Sequence, residues 1–226
     1  MKKLVFVATL WTLVWTMARG QGNFRFGVQA SPTFSWLSTD NKHIQGNGSN
    51  LGFKFGVMGE YDFGENYSFF GGLNFAFHHG GTLKYDNPGN YWPSVIDTVL
   101  AAGTNLKYNI QMVEIPFGMK MRTNEFGYLR FFAELPTLSI GILTKATGDI
   151  VSQQDKIEDE DISKELKALA LSWGASLGVE YEISSTTRLI GGLSYQKYFL
   201  DLTEDSQTDD YKTTMSGLVI KIGVLF

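Results

Sequence analysis

A period-two alternation of apolar and polar residues recurs from residue 24 to the end of this chain, and it limits the possible folds more than any other feature. Phe24, Phe26, Val28, Ala30 and Phe34 alternate with Arg25, Gly27, Gln29, Ser31 and Thr33. Leu51, Phe53, Phe55, Val57 and Tyr61 alternate with Gly52, Lys54, Gly56, Met58 and Glu60. The same pattern returns at 69–78, 113–122, 171–183 and 218–226. A strand sends successive side chains to opposite faces, whereas a helix brings apolar residues back at three and four. Two further segments are less regular. Leu129, Phe131, Ala133 and Leu135 hold one phase and Leu138, Ile140 and Ile142 the other, with Pro136 at the switch, which predicts a β-bulge there. Over 187–200, Leu189, Gly191, Leu193 and Tyr195 keep one phase and Ile190 breaks it. The total is eight strands.

The connections between these strands point to a membrane. Three are short (62–66, 123–127 and 184–186) and four are long (37–50, 83–107, 145–168 and 201–210), in strict alternation. Outer-membrane barrels have short periplasmic turns, long outer loops and an even strand count. Lipid cannot hydrogen-bond a backbone, so a sheet that crosses it must close on itself. The expected fold is therefore all-β, a closed antiparallel transmembrane β-barrel of eight strands and outer-membrane type, over residues 21–226. Composition agrees. Mean hydropathy is only −0.08 despite 14% aromatic residues, because each lipid-facing apolar residue is followed by a polar one. Tyr61, Tyr67, Phe126, Tyr128 and Tyr181 lie near the short turns, where an aromatic girdle belongs. Phe226 ends the last strand on the lipid-facing phase, the pattern that barrel-insertion machinery reads. With eight strands the interior is filled by side chains, so no solute pore is expected.

The first twenty residues read as an export signal. Lys2 and Lys3 precede an apolar stretch over 4–17, and Ala18-Arg19-Gly20 puts small residues at the third and first positions before a cut between Gly20 and Gln21. A spanning helix needs about 20 apolar residues, more than this stretch supplies. The expected location is the outer membrane of a Gram-negative bacterium, with outer-membrane lipid and lipopolysaccharide as surroundings. The chain has no cysteine, which excludes disulfides, thiolate metal sites and a lipid-anchored cysteine after the leader. Formal charge is −4, and loss of the leader cations Lys2, Lys3 and Arg19 takes it to −7, so no nucleic-acid partner is expected.

The inward phase carries both signs of charge: Arg25, Lys54, Glu60, Glu114, Lys120, Arg122, Arg130, Glu134, Glu180, Arg188 and Lys221. Unpaired charges inside a filled barrel are costly, so the expectation is an ion-paired plug that sets register. His78 and His79 fall at the outer end of the third strand and raise the alternative of a lipid-A-modifying barrel enzyme. Their neighbours are Gly80, Gly81 and Thr82, and no serine with an acidic partner accompanies them. No catalytic, cofactor or metal site is therefore predicted. The stretch 153–167 is strongly acidic but lacks the spacing of a calcium loop, so a solvated, partner-facing loop is expected, within which 162–171 has the spacing for a short helix. The segment 83–107 holds Tyr91-Trp92-Pro93 and an apolar run, so it is expected to fold over the barrel or meet a partner.

The strand containing Val113, Glu114, Ile115, Pro116 and Lys120 resembles the fourth strand of the PorT-like barrels of Bacteroidota, which carry Glu-Ile-Pro followed by alternating apolar residues to a lysine. The turn Arg122-Thr123-Asn124-Glu125 and the segments Lys145-Ala146-Thr147 and Ile162-Ser163-Lys164-Glu165 point to one member of that family. The Pro136 region departs from it, since the family more often has a Gly-rich strand there. The resemblance implies an accessory or assembly component of the type IX secretion system, which exports proteases and adhesins. It also implies other components of that system as partners. A general structural barrel without a dedicated partner is the remaining alternative.

Overall fold

The computed structural model describes residues 23–151, 156–204 and 211–226; the expected leader and the expected cut between Gly20 and Gln21 lie outside them. The described residues form one antiparallel sheet of nine strands. They are β1 (Phe24–Thr39), β2 (Ile44–Gly64), β3 (Tyr67–Tyr85), β4 (Thr104–Arg122), β5 (Leu129–Val151), β6 (Lys156–Asp161), β7 (Leu169–Ser184), β8 (Thr187–Tyr198) and β9 (Thr213–Leu225). Each strand from β1 to β5 pairs with the next, β5 pairs with β7, β7 with β8, β8 with β9, and β9 pairs back on β1. Eight strands thus pair in an unbroken ring. The short β6 pairs with β5 and lengthens one hairpin outside the ring. At the seam, Phe26 and Phe226 exchange both backbone hydrogen bonds, at 3.3 and 2.7 Å.

Bulges reconcile the irregular alternation. Between Glu134 and Thr137, β5 spends one more residue than either neighbour, so Glu134 and Ser139 both face inward while Leu135 and Leu138 both face out. Ile190 points inward and packs with Phe132 and Leu225. A bulge that the alternation does not announce lies in β3. Ala76 opposes Met112 and His79 opposes Ile110, which leaves one extra residue on β3, with His78 in the left-handed region at φ 55°. The phase inverts there, turning His79 inward and His78 outward.

Two expectations need correction. The loops at the long-connection end are shorter than the alternation suggests, because the strands run on past the lipid. The connection between β1 and β2 is only 40–43, and that between β3 and β4 is 86–103. The two histidines consequently sit within β3 rather than at its end. The helix expected over 162–171 is a single 3-10 turn, Ser163–Glu165, because Ile162 hydrogen-bonds back to Ala146 and β7 begins at Leu169.

The polarity of the two faces exchanges along the strands. In β4 the outward residues Val113, Ile115, Phe117, Met119 and Met121 are apolar, and the inward Glu114, Lys120 and Arg122 are charged and buried. From residue 112 back to 105 the assignment reverses. Leu106, Tyr108, Ile110 and Met112 are buried inside, and Asn105, Lys107, Asn109 and Gln111 face out. The nine residues from Val113 to Met121 match the roughly 9–11 residues that a tilted strand needs to cross a bilayer. The outer part is a collar with polar exterior and apolar core. That core joins Leu37, Leu83, Tyr85, Leu106, Tyr108, Ile150, Ile162, Leu202 and Met215 around Trp92, which is wholly buried. The 86–103 segment therefore folds over the barrel mouth. Trp92 Nε1 donates to Tyr108 Oη at 3.2 Å, and its ring sits on Gly148, where a Cβ would approach it to 2.3 Å.

Candidate functional site

Eight inward-facing strands leave little room, so each lumen residue is set by its neighbours across the ring. At the short-turn end, register places Glu60 (β2), Ser68 (β3), Lys120 and Arg122 (β4) and Glu180 (β7) around one volume. Lys120 Nζ donates to Glu60 Oε1 at 2.7 Å, contacts Glu180 Oε1 at 2.6 Å and stands over the Phe132 ring at 4.2 Å. Arg122 Nε donates to Glu180 Oε1 at 2.9 Å, and the guanidinium also meets Glu60, Ser68 and Asp62. All four central ionic side chains are at most 1% exposed. Charge burial on this scale is tolerable only because each carboxylate meets two cations.

A second group lies nearer the collar. Lys54 Nζ donates to Glu114 Oε2 at 2.7 Å and to Gln196 Oε1 at 2.6 Å, and Tyr198 donates to the same carboxylate. Lys221 pairs with Glu134. Between the groups is a cavity of about 70 Å³, lined in part by Ser31, Asn74, Thr137, Ser139 and Ser176. That is space for a few water molecules, at about 10–15 Å³ each on the same measure.

The remaining inward charges gather at the short-turn mouth. Arg25 pairs with Asp62, and Arg130 with Glu125. Arg188 lies 3.6 Å from Glu180 Oε2, 3.9 Å from Glu182 and 4.0 Å from Glu125. Asp62, Glu125 and Glu182 were absent from the inward set read from the sequence. Asp62 and Glu182 stand two residues beyond Glu60 and Glu180, so the same phase continued one step would have included them. Glu125 belongs to a turn and carries no such signal.

His79 is buried beneath the collar, with Nε2 3.2 Å from Thr33 Oγ1, and His78 is exposed on the opposite face. Among the described residues, no group of three His, Asp or Glu side chains is arranged to hold a metal ion. Tyr61, Tyr67, Phe126, Tyr128 and Tyr181 are all exposed at the short-turn end, with Tyr128 and Tyr181 ring centroids 6.3 Å apart. Phe226 is 54% exposed on the same outer surface as Ile220 and Ile222.

An apolar exterior band, a girdle at one end, a ring of eight paired strands and a charged, filled interior together define an outer-membrane β-barrel. The chain belongs to the family described as the outer membrane protein beta-barrel domain, which matches residues 18–226, and its place is the outer membrane. No curated protein sequence matches it. Among solved structures it is similar to Neisserial surface protein A, at 12% identity and TM-score 0.45 over 88% of this chain and 95% of the other. It is also similar to Ail, the attachment invasion locus protein of Yersinia pestis, at 14% identity and TM-score 0.43 over 91% and 100%. A major outer membrane protein from Thermus thermophilus gives 11% identity and TM-score 0.46 over 91% and 99%. Likenesses this distant say nothing of activity.

Proposed function

We propose that this chain is PorT, an accessory or assembly component of type IX secretion in the outer membrane of a Bacteroidota cell. It supports export of proteases and adhesins through contacts with other components of that system, and it performs no catalysis. The observation that carries the reading is the strand around Val113, Ile115 and Pro116. The Glu114 and Lys120 of the family-like pattern are the same side chains that anchor the two buried ion-pair groups. A filled lumen supports the non-conducting role, since an ionic plug below and an apolar core above enclose a cavity of about 70 Å³. No polypeptide passes through such a space, so the role falls to the surfaces of the barrel. Burial of His79 against Thr33 favours the non-enzymatic reading over modification of lipid A.

The test is the secretome of a deletion strain with plasmid complementation, read beside outer-membrane permeability. Accumulation of unprocessed cargo in the periplasm of an intact cell is the expected result. Normal release of cargo would refute the secretion role while leaving the barrel untouched.

A further inference from the structure

Three guanidinium groups converge at the short-turn mouth of the lumen, and each has a nitrogen without a partner. Arg25 Nη1, Arg130 Nε and Arg188 Nη1 are buried and have no hydrogen-bond partner among the described residues. Arg188 Nη1 is 3.6 Å from the nearest Glu180 oxygen, beyond hydrogen-bond reach. The three come from β1, β5 and β8. Register draws them together, because Arg130 opposes Glu180, Glu180 opposes Ile190, Arg188 opposes Leu225, and Leu225 opposes Gly27. The charges of Arg25 and Arg130 both act on Arg188. Each guanidinium already meets a carboxylate, Arg25 with Asp62, Arg130 with Glu125 and Arg188 near Glu180 and Glu182, so what remains unspent is one donor on each, and a buried N–H without an acceptor is costly.

The chain supplies a partial answer. The Glu125 carboxylate, from the turn between β4 and β5, contacts Arg130 and lies 4.0 Å from Arg188, but its side chain is 45% exposed and it does not reach Arg25 within ion-pair distance. We propose that the short-turn mouth is an oxyanion-binding site formed by Arg25, Arg130 and Arg188, with Glu125 as a resident carboxylate that an external oxyanion displaces. The ligand is a small oxyanion, either free phosphate or the carboxylate of an acidic peptide. Guanidinium forks match both. Short turns of such barrels face the periplasm, so the ligand arrives from that side. The site stands independently of the secretion role.

The experiment uses the full mature chain refolded in detergent micelles, with Arg Nε–Hε resonances followed by NMR. Inorganic phosphate and sodium acetate are titrated separately, against sodium chloride at matched ionic strength. The expected result is a saturable shift of the Arg25, Arg130 and Arg188 signals that chloride does not produce. Saturation by phosphate alone assigns a phosphate source, and equal saturation by acetate assigns a carboxylate source. Arg130→Gln and Arg188→Gln should each weaken binding about tenfold, the scale of one charge-assisted hydrogen bond. Glu125→Gln, in an exposed turn, leaves the barrel intact and should tighten binding about two- to fivefold, the scale of one exposed ion pair. An unsaturable drift identical in chloride, or a Glu125→Gln protein with unchanged affinity, overturns the proposal.

Discussion

Replacing Lys120 with methionine tests the physical account of the lumen most directly. The lysine is wholly buried, and its ammonium holds Glu60 at 2.7 Å and Glu180 at 2.6 Å. Methionine fills a similar volume and packs against Phe132, so the change is chiefly the loss of one charge. Two buried carboxylates would then share Arg122, with Arg188 at 3.6 Å as the nearest other cation. Breaking a buried pair by removing one partner costs about 3–5 kcal/mol. Adding Glu180→Gln restores the balance, because Arg122 and Glu60 remain matched one to one. The double variant should therefore be more stable than Lys120→Met alone, with a coupling of about 2 kcal/mol. The assay is urea unfolding of the refolded barrel in lipid vesicles, followed by tryptophan emission and extrapolated linearly to water. A single-variant cost below about 1 kcal/mol, or penalties that simply add in the double variant, would show that the network does not carry the energetics argued here.

Four other variants have a defined expected outcome. Leu177, 68% exposed in the middle of β7, faces the lipid, and Leu177→Arg should cost about 2–4 kcal/mol in the same unfolding assay. Trp92→Ala should release the 86–103 segment to rapid proteolysis while the membrane barrel keeps its resistance. Gly148→Val should do the same, since its side chain would displace the Trp92 ring from a contact already closed to a Cβ at 2.3 Å. Phe226→Ala removes an exposed lipid-facing aromatic beside the seam pair with Phe26, and should lower the folded fraction in outer-membrane preparations, read as weakening of the heat-modifiable band on gels.

Much of the architecture was legible in the chain because lipid imposes a simple rule. Every outward residue within the bilayer must be apolar, so Phe53, Phe55 and Val57 in β2 and Leu218, Ile220 and Ile222 in β9 mark their strands without ambiguity. The Pro136 switch was visible for the same reason: both halves of β5 must face lipid, and only an extra residue reconciles Leu135 with Leu138. The collar strands were missed because no such rule acts on them. Residues 44–50 of β2 read Ile-Gln-Gly-Asn-Gly-Ser-Asn, with a polar exterior and glycines that resemble a loop. The inversion in β4, from outward Gln111 to outward Val113, was a signal available in the sequence, and it places the outer boundary of the lipid.

The sequence by itself determined which residues alternate, and therefore that a sheet must close in lipid with mixed charge inside. Period-two patterning and the avoidance of unpaired backbone in hydrocarbon are local constraints, readable one strand at a time. Only the tertiary structure decided which charges meet. Lys54 reaches Glu114 two strands away, and Arg122 joins carboxylates from β2 and β7. It also decided that His79 turns inward, that Trp92 plugs the collar, and that Arg25, Arg130 and Arg188 share one mouth. These depend on bulges and on the stagger between strands, which one residue of slip would reverse and which no single strand encodes.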